Sequence, residues 1–184
     1  MARLRIIAGR FGGRWISADV GSGTHPMGDR VRSAIFSMLE SRGMLVGARV
    51  LDAFAGTGVL GLESLSRGAT FVTFLERDRT AAKVIDVNIT TLVVQNQTNL
   101  LRTDVRSWTK ISENDKYNII FADPPYHDPQ FSTVSKLVKH LQPGGLLVLS
   151  YPERGTLPNL DGVVVVDNRI YGEAAIALFR LQDE

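Results

Sequence analysis

From residue 48 onward the chain alternates short β-rich apolar runs with stretches of helical periodicity, and that alternation leaves few folds open to it. Arg49–Phe54, Phe71–Glu76, a run near 99–103, Tyr117–Asp123 and Gly145–Tyr151 read as strands, while segments near 58–67, 79–94 and 130–141 carry apolar residues at helix spacing. Strands separated by helices pair in parallel through crossovers. Tyr117–Asp123, apolar almost throughout, suits a strand covered on both faces. The last two runs, Gly162–Asp167 and Ala174–Leu181, are joined by the polar stretch Asn168–Glu173, which is too short for a crossover and implies antiparallel pairing. The expected architecture is a Rossmann-like α/β sheet of seven strands with the last strand antiparallel. A chain of 184 residues with 44% hydrophobic content buries one core, so a single sheet domain is expected.

Ahead of this domain the pattern differs. Leu4–Ala8 and Arg14–Ala18 flank the glycine-rich turn Gly9–Gly13, which predicts a β-hairpin extension, and Asp19–Pro26 has no apolar periodicity. From Pro26, Val31, Ile35, Met38 and Leu39 recur at helix spacing up to a stop at Gly43. The expected division is an N-terminal hairpin module over 1–25 and a main domain over 26–184 that begins with this helix. Residues 1–32 hold six arginines against two aspartates, whereas the remainder holds fifteen basic residues against seventeen acidic ones. Arginine binds phosphate through a planar fork and stacks on bases. Arg5, Arg10, Arg14, Arg30 and Arg32 are therefore the candidate nucleic-acid contacts, and a merely solvated hairpin is the alternative.

Other chemistries are narrowed by composition. Without cysteine there is no disulfide, no thiolate nucleophile and no sulfur-based zinc site, and three scattered histidines form no metal cluster. No metal is expected. No secretory leader or membrane-length apolar run is visible, so the chain reads as cytoplasmic, without a membrane partner and monomeric by default.

Asp52–Gly61, D-A-F-A-G-T-G-V-L-G, closes one strand and opens a helix. Its G-x-G-x-x-G spacing permits a nicotinamide dinucleotide, with pyrophosphate at the helix N-terminus and Glu76 on the ribose hydroxyls. A carboxylate at Asp52 would repel pyrophosphate yet receive a cationic amino-acid moiety, directly or through water. That favours S-adenosylmethionine. Asp104, at the end of the third apolar run, suits an adenine amine or an ordinary turn equally.

Asp123-Pro124-Pro125-Tyr126 follows the most apolar strand and so falls at the carboxyl edge of the sheet, where open α/β sheets bind ligands. Two prolines stiffen the turn and remove two N–H donors. An aromatic amine is a poor nucleophile because its lone pair is delocalised. Acceptance of its two N–H groups by the Asp123 carboxylate and the Pro124 carbonyl favours the pyramidal, nucleophilic form. Tyr126 is placed to stack on a base brought out of its helix.

These motifs, with the Asp29–Arg32 segment (D-R-V-R) and the opening R-I-I-A-G, resemble the bacterial 16S ribosomal RNA guanine-N2 methyltransferases over nearly the whole chain. DNA adenine and cytosine amino-methyltransferases share the D-P-P-Y signature but not the N-terminal module. The resemblance implies a class I methyltransferase fold, S-adenosylmethionine as cofactor and small-subunit ribosomal RNA, naked or assembled, as partner. It implies catalysis at Asp123, Pro124, Pro125 and Tyr126. The expected cofactor-binding set is Asp52, Phe54, Ala55, Gly56, Thr57, Gly58 and Gly61 of the loop, Glu76 and Arg77 after the second strand, and Asp104 and Val105 after the third. Members commonly carry R-P-T-x-D-R-V-R-E before the first helix, whereas His25–Ser33 here runs H-P-M-G-D-R-V-R-S.

Overall fold

The structure, a computed structural model, describes residues 2–21 and 26–182, so the expected module boundary at residue 25 lies outside the described residues. Three strands whose side chains are buried on both faces, β3 (Arg49–Asp52), β4 (Phe71–Leu75) and β6 (Tyr117–Ala122), form the centre of the sheet. With β5 (Thr98–Leu101), β7 (Leu141–Pro152), β8 (Val163–Tyr171) and β9 (Ala174–Leu181) they make seven strands in the order β5-β4-β3-β6-β7-β9-β8. Pairing is parallel from β5 to β7, and β9 runs antiparallel between β7 and β8. Burial stabilises by about 1.5–3 kcal/mol for each large apolar side chain, and Ile119, Ile120 and Phe121 of β6 are all essentially inaccessible.

The chain winds from β3 to β5 on one side and from β6 to β7 on the other, so the direction of winding reverses between β3 and β6. Asp52 pairs with Phe121 across that boundary, which puts the glycine loop after β3 beside the turn after β6. A crevice opens where the connecting chains diverge.

Among the described residues five helices pack on the sheet: α1 (Asp29–Glu40), α2 (Val59–Ser66), α3 (Arg79–Leu92), α4 (Val105–Ile111) and α5 (Phe131–Ser135). Two expectations are corrected and one helix is added. The helix predicted over 130–141 is only α5 plus a 3-10 turn at Val138–His140, because β7 already starts at Leu141 and bends through a register shift at Gln142–Gly145. The polar stretch Asn168–Glu173 is largely strand: β8 continues to Tyr171, and only Gly172 (φ +62°) and Glu173 make the turn. Helix α4 was not anticipated. It is short, and its start is fixed by Asp104, whose carboxylate accepts from the Ser107 amide at 2.8 Å.

The N-terminal hairpin, β1 (Arg3–Arg5) and β2 (Trp15–Ser17), lies along α2 and α3. Buried Glu63 of α2 accepts from the amides of Ile7 at 2.8 Å and Ala8 at 3.0 Å. Asn88 of α3 accepts from the Ser17 amide and donates to the carbonyls of Ser17 and Thr57, which ties the hairpin to the glycine loop. The turn Gly9–Gly13 sits at the carboxyl end of α2, where the Phe11 and Arg10 amides donate to Ser66.

Gly61, inside α2, faces the ring of Phe74; a Cβ there would stand 2.3 Å from that ring and 2.7 Å from Val72. Gly61→Ala is therefore expected to lower stability by about 1–3 kcal/mol through overpacking. Urea unfolding at neutral pH measures it, and an unchanged midpoint would show that the helix can lift off β4 freely.

Candidate active site

At the carboxyl edge of the sheet, over the reversal point, lies a cavity of about 450 Å³. The loops after β3, β4, β5 and β6 each contribute to its wall, and Val20 and Gly21 close it from the N-terminal side. Those last two residues belong to the stretch read only as an aperiodic linker.

The glycine loop supplies its lining through Phe54 and Gly56, while Ala55, Thr57, Gly58 and Gly61 shape it from behind. The Ala55 amide donates to the Leu75 carbonyl at 3.1 Å, buried Thr57 accepts from Asn88, and Gly58 caps α2 in the left-handed region at φ +76°. Gly61 serves the close helix–strand contact described above. Asp52 corrects an expectation. It is buried beneath the loop, outside the cavity wall, and accepts from the Gly61 amide at 3.0 Å. Burial is the main cause that raises its pKa to about 8; the Gly61 amide opposes the rise, and the nearby Asp123 and Glu76 carboxylates add to it. From beneath the loop it orders the chain through the Gly61 amide and does not face a bound molecule directly.

Glu76 lines the cavity at the end of β4, with its carboxylate fixed by two backbone donors, the Gly56 amide at 2.8 Å and the Asp78 amide at 2.8 Å. A carboxylate has about four acceptor positions, so two are left for hydroxyls of a bound molecule. Arg77 lines the same wall. Asp104 and Val105 line the cavity after β5, and Asp104 is also the cap of α4. Its pKa is lowered chiefly by the Ser107 amide and then by the Ser107 hydroxyl, which bears out the turn-and-cap reading.

Asp123 stands where β6 ends. Ala122 pairs with Leu149 of β7, which brings the next residue of β7, Ser150, alongside Asp123. Burial raises the Asp123 carboxyl to about 6, against the opposing hydrogen bond of Ser150. The Tyr126 hydroxyl meets the Ser150 hydroxyl at 2.9 Å, so one serine links both ends of the turn. The sequence reading missed Ser150, although a lone serine within the apolar run Leu146–Tyr151 was a visible signal. Pro124 is buried and Pro125 lines the cavity. The Pro125 carbonyl is taken by the Asp128 amide at 2.9 Å, whereas the Pro124 carbonyl accepts no hydrogen bond among the described residues. His127 also lines the cavity and had not been singled out.

Asp123 also borders a tight apolar gap, without room for a water molecule, whose walls include Met27, Ile35, Leu60, Val148 and Ser150. Met27, a departure from the family's usual threonine, therefore lies next to the D-P-P-Y turn. His25 lies outside the described residues.

The candidate nucleic-acid arginines separate. Arg32 is fully buried: it donates to the carbonyls of Met27 and Arg5, pairs with Asp29 and lies 3.7 Å from Glu63. It cannot reach a phosphate, and the expectation that it would is corrected. Arg10 and Arg14 are exposed but turned onto the body, donating to Gln97 and to the Thr91 carbonyl. Arg5 and Arg30 face solvent, with no hydrogen bond from either side chain among the described residues.

Sheet order and crevice together define a class I methyltransferase fold. Magnesium protoporphyrin IX methyltransferase from Synechocystis, solved with bound S-adenosylmethionine, superposes with a TM-score of 0.66 at 16% identity over 83% of this chain and 79% of that one, and shares the fold. The family model described as "Conserved hypothetical protein 95" matches residues 4–180, and the chain belongs to that family. Ribosomal RNA small subunit methyltransferase D of Haemophilus influenzae is 33% identical over 181 residues, 91% of this chain and 93% of the relative. The solved structure of yhhF from Escherichia coli has a TM-score of 0.88 at 28% identity, covering 98% of this chain and 99% of that chain.

Proposed function

We propose that this protein transfers a methyl group from S-adenosylmethionine to the exocyclic N2 amine of a guanine in 16S ribosomal RNA. The observation that carries the reading is the D-P-P-Y turn at the cavity wall, where Asp123 lines the cavity and the adjacent Pro124 carbonyl accepts no hydrogen bond among the described residues. Family membership and the name of the Haemophilus influenzae relative support ribosomal RNA as the substrate class.

The main cavity fits the cofactor's chemistry. Phe54 offers an apolar face, Glu76 a pre-oriented acceptor for ribose hydroxyls, and Asp104 and Val105 an adenine-side wall. Because Asp52 lies beneath the loop and outside the cavity wall, preference for this cofactor over a nicotinamide rests on the family. When bound, S-adenosylmethionine supplies an electrophilic methyl group on a sulfonium.

The chain's own residues do the rest. The Asp123 carboxylate and the Pro124 carbonyl each accept one N–H of the target amine, which localises its lone pair and aims it into the cavity. As the nitrogen–carbon bond forms and the sulfur–carbon bond breaks, one amine proton passes to Asp123 or to water. Ser150 holds Asp123 and Tyr126 in register, and Tyr126, about two-fifths exposed, offers a face to the base.

An ionised Asp123 is needed as acceptor, and burial sets its pKa at about 6. Transfer of labelled methyl from S-adenosylmethionine to small-subunit particles is thus expected to hold steady above that pH. It should fall about tenfold per unit below it. Label in ribosomal RNA with this profile supports the proposal; label in free DNA alone would overturn it.

A further inference from the structure

The hairpin presents one tryptophan outward. Trp15 is 57% exposed and sits directly across from Arg5 in the β1–β2 register, with exposed Arg3 two residues further along the same face. Residues 2–18 contain four arginines and no acidic side chain. An exposed indole is usually surrounded by other apolar groups when it serves a protein interface. Here its cross-strand neighbour is a guanidinium with no hydrogen bond among the described residues. An aromatic face beside free cationic forks fits a polyanion that carries flat bases.

We infer that Trp15, Arg5 and Arg3 form a stacking and phosphate-binding surface for single-stranded RNA flanking the target nucleotide. The inference rests on the reading of RNA as substrate and adds the residues that grip it. Trp15 stands five positions before Val20 of the cavity wall, at most roughly 18 Å along an extended chain, so an RNA strand lying on the hairpin can lead into the site. Arg10 and Arg14 are excluded from this surface. Their side chains hold the hairpin to Gln97 and Thr91, and both guanidinium groups also lie over Phe11.

The chain has two tryptophans, and the other, Trp108, is buried against Tyr117 and His140. Trp108→Phe leaves Trp15 as the only indole reporter. Titration of that variant with an unstructured oligouridylate is expected to quench its emission saturably, because a stacked base quenches indole. In the otherwise native enzyme, Trp15→Ala is expected to raise KM for RNA about tenfold or more and leave kcat nearly unchanged. Arg5→Ala should weaken binding and lower the salt slope by about one, whereas Arg10→Ala and Arg14→Ala should leave RNA affinity unchanged once the hairpin is shown to be folded.

Unquenched emission at RNA concentrations that saturate methyl transfer, or an unchanged KM for Trp15→Ala, would overturn the inference while the methyltransferase reading stood. Self-association abolished by Trp15→Ala, with no quenching by RNA, would also overturn it and assign the surface to a second copy. A wild-type enzyme that methylates no RNA would instead sink the substrate reading, and the quenching titration would still decide the surface.

Discussion

Asp123→Ala is expected to lower kcat for methyl transfer to small-subunit RNA by roughly 10²–10⁴-fold and leave the fold and cofactor affinity nearly intact. Asp123 lies in the cavity wall, and in the proposed reaction its carboxylate is both an acceptor for the amine and a sink for its proton. Asp123→Asn keeps one acceptor oxygen in nearly the same volume. It loses the charge, so a smaller but still large defect is expected, without the fall in rate below pH 6 that the native carboxylate imposes. Single-turnover kinetics measure the chemical step directly. A defect of less than tenfold in Asp123→Ala would remove this residue from the chemistry.

Glu63→Ala is expected to destabilise the protein by about 3–5 kcal/mol, a large fraction of the stability of a domain of this size. Glu63 is completely buried. It accepts from the Ile7 and Ala8 amides and from Arg67 Nε at 2.9 Å, and it lies 3.7 Å from the buried Arg32. Truncation leaves two amides without acceptors and two enclosed guanidinium groups short of their counter-charge. The hairpin should loosen first, and with it the Val20–Gly21 wall of the cavity, so a weaker cofactor affinity is expected alongside the lower unfolding midpoint. Urea unfolding with calorimetric cofactor titration checks both. A loss below about 1 kcal/mol would mean that the hairpin is held mainly by its apolar contacts through Ile6 and Ile16.

The sheet was legible because its signals are local. Tyr117–Ala122 could be placed at the centre because a run apolar on both sides of the period-two alternation has no solvent face to occupy. The reversal of the last strand followed from the length of one connection. What escaped were properties set by packing. Sequence does not say on which side of the backbone a loop-edge carboxylate falls, so Asp52 was expected in the cavity and lies under it. Arg32 shares a charge pattern with Arg30, but helix geometry turns Arg32 inward toward Glu63 and leaves Arg30 in water. Ser150 gains its relevance from the register of β6 with β7, a contact between residues far apart in sequence. Trp15 and Arg14 are adjacent in the chain, yet strand alternation and the latch to Thr91 give them opposite tasks.

The reading of Asp123 and Pro124 as paired acceptors for an exocyclic amine is tested most directly by the chemical identity of the methylated nucleoside. Small subunits from a strain that lacks this modification are incubated with the enzyme and tritiated S-adenosylmethionine, and the RNA is digested to nucleosides and separated. The label is expected in N2-methylguanosine, and to vanish when Asp123→Ala replaces the native enzyme. Label on a ring carbon, a ring nitrogen or a ribose hydroxyl would contradict the account, because none of those acceptors presents two N–H groups to the turn.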